Sequence, residues 1–577
     1  MHQTKADFLV QKYRQILRAS LLVEAVSYIM TMTDTLIAGN MIGEDALAAA
    51  GLVAPLLTVT TFIASVINSG TLLNYSYCIG RFEERRAHEY FSQGVLLALS
   101  MGALSVVLMY VCAGVYFSNL KAYPELAQAV HDYYSIILLS GALAPISALL
   151  DNAVVSDGGE KLSAFSNITQ IVLNVVLSVL FSRWWGIRGI AIATVGCKAL
   201  FVLLISTWFF GKKNTLRFVW RWKWQDCFAI FRRGVVRASA FCMTALMEMA
   251  VYRFTIAHFA GDTVVVLTVA EKILEMYTLF LGLSMASQPL VVTLRGERNT
   301  KALRFLMHAV TGDMLVMGLL LSVLTVLSAR GLVFCFGVRD AAVVGPASAA
   351  VRYVGTTLVV QALMTLFFIY YYLSDRHLLA LSISVLTYFL CPFGLAAAIS
   401  LVLGSPEGMW IGFMLSPVAA AALSALLVLL QRKGTSFPYL LPTDRDDRIF
   451  IYDFPLSEEN AVMLSRTVGD ELDAHGVPRK TRNLVRVLAE DLLVLITGRN
   501  ADAKGVPAEV NMMLEEDGVR MILRDAGVAI DMTDTDPHAD SLRQFLVANI
   551  MLTYERKMYL LTNGYNRSEF FISNRTA

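Results

Sequence analysis

The sequence predicts an α-helical polytopic membrane protein: twelve spans as two six-helix bundles, plus a C-terminal cytoplasmic α+β domain. Three observations predict it: sparse charge over the first three quarters, apolar segments of spanning length, and polar loops repeating at one offset. The 577 residues are 56% hydrophobic and 16% charged, against roughly 25% charged in a soluble domain. Residues 1–437 hold 55 charged side chains (net +9) and residues 438–577 hold 39 (net −7). Two solvents are implied, lipid for the first part and water for the second. With a total of +2 and basic residues in short clusters between apolar segments, nothing supports nucleic-acid binding. The seven cysteines all lie in the apolar part, far apart, with no metal-ligand spacing, so no zinc site or disulfide framework is suggested.

A spanning helix needs about 20 predominantly apolar residues. Segments that meet this lie at 16–39, 48–75, 91–117, 131–155, 162–183, 188–210, 234–259, 264–291, 303–328, 346–373, 377–402 and 408–431. Met1 to Arg18 is polar and amphipathic and leads into the first span, unlike a cleavable signal. Basic clusters alternate along the loops: before span 1, after span 2 (Arg81, Arg85, Arg86), from Lys212 to Arg233, after span 8 (Arg295, Arg298, Lys301) and at Arg432–Lys433. The positive-inside rule therefore puts both termini in the cytoplasm of a multi-pass plasma (inner) membrane protein.

The loops repeat. Gly43-Glu44 corresponds to Gly261-Asp262, Gly80-Arg81 to Gly296-Glu297, and Asp157 to Asp375, at offsets of 216–218 residues. An even number of spans per repeat makes the halves parallel, which favours a cavity between bundles and alternating access by rocking. The expected domains are 1–215, 216–437 and 438–577. In the tail, Leu456–Ala474 and Arg479–Ile496 read as amphipathic helices. Val510–Leu514 and Val519–Leu523 read as a hairpin around Glu516-Asp517-Gly518.

Ionisable groups inside spans are costly and are functional candidates. Asp34 in span 1 and Glu248 in span 7 fall within a few positions of each other under the repeat offset, so each bundle has a carboxylate on its first helix. A carboxylate that trades a proton for a cation is the chemistry of an antiporter, whereas pairing with Lys198 or Arg253 would make it structural. Glu271, Lys272 and Glu275 read as an internal ion pair. Asn167, Asn174 and Ser178 form a stripe along span 5, and Asn68 of span 2 joins them as a supporting cavity residue. Asp151 and Asn152 close span 4 as capping or loop residues, and Pro55, Pro145 and Pro289 mark bends.

The stretch Asp34-Thr-Leu-Ile-Ala-Gly-Asn-Met-Ile-Gly-Glu-Asp-Ala-Leu-Ala-Ala-Ala-Gly-Leu-Val-Ala-Pro55 resembles the multidrug and toxic compound extrusion (MATE) family. So do Ser166–Ser178 with Gly186–Thr194, and Gln288-Pro-Leu followed by Gly296–Lys301. The resemblance covers about residues 10–432. It implies a secondary antiporter, not an enzyme, that exports organic, cationic compounds against inward H⁺ or Na⁺. By the same resemblance Asp34 is the N-lobe acid and Glu248 a span 7 acid of some branches. Ser178 stands where many members carry a second aspartate after Asn174, so Asp34 would act with Asn174 and Ser178.

The tail resembles the ATP-binding (GHKL) fold of anti-sigma-factor and histidine kinases. Leu488-Ala-Glu490-Asp-Leu-Leu-Val494 resembles its magnesium helix, and Asp525-Ala-Gly527-Val-Ala-Ile-Asp531 its adenine loop. Val494 replaces the expected asparagine, Ala529 the second glycine, and Ser541–Phe545 lacks phosphate-approaching glycines. The tail therefore reads as a degenerate regulatory domain that binds a cytoplasmic protein, with ATP binding through Asp525, Gly527 and Glu490 as the weaker expectation. No other cofactor is expected. Two alternatives differ in class: a membrane sensor or regulator whose helical bundle is a receptor and whose tail binds nucleotide or a signalling protein, and a flippase of lipid-linked saccharides, which would need an arginine-lined cavity.

Overall fold

A computed structural model describes residues 7–79, 83–117, 123–157, 159–211, 214, 216–219, 221–259, 261–432, 435–442, 446–500, 505–528, 556–562 and 565–574. The chain forms two compact units: residues 22–282 with 313–430, and residues 1–21 with 283–312 and 431–577.

The first half of the membrane part consists of α1 (Asp7–Met41), α2 (Glu44–Ile79), α3 (Glu84–Tyr116), α4 (Pro124–Ser156), α5 (Glu160–Trp185) and α6 (Ile187–Ser206). The second half begins with α7 (Trp224–His258), α8 (Gly261–Leu274), α9 (Tyr277–Gly296) and α10 (Thr300–Cys335). It continues with α11 (Ala341–Gly355), α12 (Leu358–Leu373), α13 (His377–Val385), α14 (Cys391–Leu403) and α15 (Glu407–Leu430). Every segment expected to span is helical. Among the described residues, nine helices, the α13–α14 run included, are long and apolar enough to cross a membrane. The pair α11 and α12, bent by 46°, makes a tenth. The expected spans at 16–39 and 264–291 fall outside this set. The latter run is interrupted at Glu275 and Met276, which divides it into α8 with 14 residues and α9 with 20.

Local sequence explains the boundaries. Two of the three repeated polar loops stand at equivalent places, while Gly80-Arg81 of the third pair lies outside the described residues: Gly43, at φ 137°, precedes α2, and Gly261 opens α8. Asp157 ends α4, and Asp375 follows α12. Pro124 starts α4, where its missing N–H costs nothing. Gly404 ends α14 in the left-handed region. A π segment at Leu386–Leu390 joins α13 to α14.

Within the larger unit, one apolar core runs through α2, α4, α8 and α11, with Leu47, Leu52, Ile137, Val269 and Val351 at or near complete burial. Helices α2 and α7, one from each half, touch backbone to backbone. A β-carbon on Gly234 would lie 2.0 Å from Val66 O, and one on Gly70 2.0 Å from Ile230 O. Small residues permit that approach where no hydrophobic force separates helix from lipid. Leu327 (81% exposed), Leu378 (82%) and Val402 (85%) present apolar side chains outward, as a lipid-facing surface does.

In the smaller unit the tail has a short ladder of β1 (Thr435–Ser436) with β2 (Leu441–Pro442). Then come β3 (Ile449–Pro455), α16 (Glu458–Ala474), α17 (Arg479–Arg499), β4 (Pro507–Leu514), β5 (Gly518–Asp525), β6 (Arg556–Thr562) and β7 (Tyr565–Ser573). The five longer strands form an antiparallel sheet in the order β3-β4-β5-β7-β6. The expected helices and the hairpin around Gly518 are present. Ser457 caps α16, its hydroxyl accepting from Asn460 N. One sheet face (Tyr452, Val510, Met521, Phe570) packs with Leu464, Leu488 and Leu492 of the helices.

Candidate functional site

Asp34 sits in the last two turns of α1, between the buried Thr33 and Thr35. Three other helices supply its surroundings. The Thr194 hydroxyl of α6 lies 2.9 and 2.8 Å from the two carboxylate oxygens. The Tyr133 hydroxyl of α4 donates to Oδ2 at 3.2 Å. Asn174 of α5 donates through Nδ2 to Thr194 Oγ1 at 2.9 Å. The chain of donors thus runs Asn174 to Thr194 to Asp34, with Tyr133 entering from the other side. Lys198, one turn beyond Thr194, is near enough to interact electrostatically. No ion pair joins Asp34 to a basic side chain among the described residues. A carboxylate held by hydroxyls and an amide is free to exchange its counter-charge, whereas one locked to a guanidinium is not.

The sequence-derived set is only partly gathered here. Asn174 belongs to the Asp34 cluster. Ser178 is fully buried, but its hydroxyl has no partner among the described residues, and the same holds for Asn68 Oδ1. Asn167 lies elsewhere: its Nδ2 donates to Ser163 O at 3.0 Å and approaches Asp151 at 3.3 Å, while Ser163 Oγ donates to Asp151 Oδ1 at 2.5 Å. That cluster closes the α4–α5 turn. Sequence reasoning passed over Tyr133 and Thr194. Thr194 stood in the quoted Gly186–Thr194 stretch as the hydroxyl residue of an apolar run, and that was its only signal.

Glu248 lies in a different place, 2% exposed on α7. It lines a pocket with Glu271, Glu275, Tyr277, Gln361 and Tyr388 among the other walls. The Glu248 Oε2 has no partner among the described residues, and the hydroxyl of Thr58 on α2 donates to Ala54 O at 3.1 Å. The expected internal ion pair forms between Lys272 Nζ and Glu275 Oε1 at 2.5 Å. Glu271 instead accepts from the Tyr252 hydroxyl at 2.5 Å. The interruption between α8 and α9 falls at Glu275, so the cavity is built at a broken helix, a common setting for ion and substrate sites. Three carboxylates, Glu248, Glu271 and Glu275, line this pocket, and the last of them is paired with Lys272. Among the described residues no group of three or more His, Cys, Asp or Glu is arranged to hold a metal ion.

In the tail, Asp525 ends β5. Its Oδ1 accepts from Gly527 N and from Asn566 Nδ2, both at 2.9 Å, and burial pushes its pKa up. Gly527 is tightly enclosed, since a β-carbon there would lie 2.5 Å from the Asn500 side chain. Glu490 is half-buried on α17. Asp525 thus already has two internal partners, while Ala529–Asp531 and Ser541–Phe545 lie outside the described residues.

The family model MatE matches residues 19–180. The structure is similar to a solved inward-facing conformation of a multidrug resistance MATE family transporter of the MOP superfamily, at TM-score 0.64 and 19% identity, covering 70% of this chain and 94% of that one. A MOP superfamily transporter from Pyrococcus furiosus, described as having a binding pocket of reverse polarity that suggests a different function, aligns at TM-score 0.61 and 19% identity, over 74% and 98%. A MATE structure in complex with MaL6 aligns at 0.60 and 18%, over 73% and 96%. No curated protein sequence matches the chain. The membrane part therefore has the MATE transporter fold.

Proposed function

We propose that this chain is a secondary antiporter in the plasma (inner) membrane that exports organic cations against inward H⁺ or Na⁺. Its two halves alternate access, with both termini in the cytoplasm. The observation that carries this reading is Asp34, an intramembrane carboxylate held by Thr194, Tyr133 and, through Thr194, Asn174, with no ion pair to a basic side chain among the described residues. Protonated, Asp34 releases these donors. Ionised, it draws them in or binds a sodium ion through the same oxygens. The acidic cavity around Glu248 supports a cationic cargo, because a pocket with excess carboxylate attracts positive charge and disfavours anions. In this reading the tail regulates transport and is not an enzyme.

Proteoliposomes loaded with an organic-cation dye provide the test. Efflux should follow an imposed proton or sodium gradient, and Asp34→Asn should abolish it. Absence of gradient-driven flux with either ion would refute the proposal, and comparison of the two gradients identifies the ion.

A further inference from the structure

The second face of the tail sheet is buried as well as the first. Ile451, Glu509, Asn511, Ile522 and Arg524 alternate with the core residues, and each is 0–1% exposed. The helix ends of the same compact unit lie against this face. Phe8 of α1 meets Tyr565 edge to face at 5.6 Å between ring centres. Phe8, Leu9 and Tyr13 are 2%, 1% and 0% exposed, although they belong to the first turns of a helix that leads into the Asp34 site. Glu297, in the turn between α9 and α10, is 2% exposed and receives Arg524 of β5 and Arg567 of β7, the latter at 2.7 Å. Lys301 at the start of α10 donates to Ile449 O at 3.1 Å. Tyr439 donates to Met307 O at 3.3 Å, beside Thr311.

One sheet thus holds the end of the first helix of the first half and the turn between two helices of the second. We propose that the tail is a staple: by binding both ends at once it holds the halves together on that side and restrains transport. Alternating access by rocking requires the halves to part on each side in turn, so a domain that bonds one end of each opposes opening there. The charges fit a releasable joint. Arg524 also pairs with Glu509, and Arg567 with Glu569 at 2.5 Å, so each arginine keeps a carboxylate inside the tail when Glu297 leaves. Glu297 is therefore the docking residue, while the tail's own charges stay satisfied. The restraint of transport rests on the antiport reading; the staple itself does not.

The test is a distance. Spin labels are placed at the exposed Gln11 of α1 and Arg298 of the α9–α10 turn, in the full-length protein with its native cysteines replaced. A single short distance is expected. Glu297→Ala should shift the equilibrium about tenfold toward a longer separation, the effect of losing charge-assisted hydrogen bonds. Phe8→Ala, which severs only the α1 side, should do likewise and serves if Glu297→Ala does not fold. Flux in proteoliposomes should rise in both variants. Unchanged distances in the folded variants, or lengthened distances with flux unchanged or lower where the wild type transports, would overturn the proposal. Lengthened distances with no flux from any version, wild type included, would uphold the staple and refute the antiport reading instead.

Discussion

Thr194→Val tests the Asp34 site at its most informative residue. Valine keeps the shape of threonine and removes one hydroxyl, and with it the contacts of 2.9 and 2.8 Å to both oxygens of Asp34. It also strips Asn174 Nδ2 of its acceptor. A hydrogen bond to a charged group is worth about 1.5–3 kcal/mol, and each ~1.4 kcal/mol on a barrier is tenfold in rate. Gradient-driven dye efflux should therefore fall about 10- to 100-fold in Thr194→Val and stay near wild type in Thr194→Ser, which keeps the oxygen. The assay is initial efflux from proteoliposomes with protein content matched. Because Thr194 acts through Asp34, adding Thr194→Val to Asp34→Asn should cost nothing further. A wild-type rate in Thr194→Val, or no rescue by serine, would refute the role given to this cluster.

Other predictions address separate parts of the molecule. Glu248→Gln keeps the volume of a buried side chain but removes a negative charge from the cavity wall; binding of a fluorescent organic cation in detergent should weaken about tenfold, as expected when one partly buried charge interaction of ~1.4 kcal/mol is lost. Gly234→Leu places a β-carbon 2.0 Å from Val66 O and should destabilise the α2–α7 crossing by about 1–3 kcal/mol, read as a lower midpoint of thermal unfolding in detergent. Asp525→Asn tests the tail by pH. The folded carboxyl titrates above its unfolded value, so the wild type loses stability as pH rises through that window. The asparagine variant should therefore protect β5 and β7 better from hydrogen exchange at neutral pH, with the advantage vanishing in acid. Weaker protection at neutral pH would show that the ionised carboxylate is needed there.

The architecture was largely legible because it follows from one-dimensional quantities. Among the described residues nine of the expected apolar runs became helices long and apolar enough to span, with the bent α11–α12 pair as a tenth, and the Gly43/Gly261 and Asp157/Asp375 correspondences fell at helix boundaries. Where the reading fell short, the cause was local. The apolar run at 264–291 hid a break at Glu275 and Met276, and hydropathy averaged over a window does not register two residues that leave the helix. Asp34 and Glu248 were found because charge in an apolar helix is conspicuous. Thr194 and Tyr133 were missed because hydroxyls in such helices are common and usually bond their own backbone, as Thr255 does with Val251 O.

Composition and periodicity alone marked an apolar helical part and a more charged tail, and placed Asp34 and Glu248 as carboxylates within apolar helices. Those properties depend on which residues occur and how often they recur, and they survive without knowledge of neighbours. Tertiary structure alone decided which helices surround Asp34, that Glu248 opens on a separate acidic cavity, and that Asn167 serves the α4–α5 turn. It also decided that a glutamate 227 residues before Arg524 is buried beside it. These facts depend on packing between segments far apart in the chain, and a hydrogen bond or ion pair of that kind leaves no spacing to read.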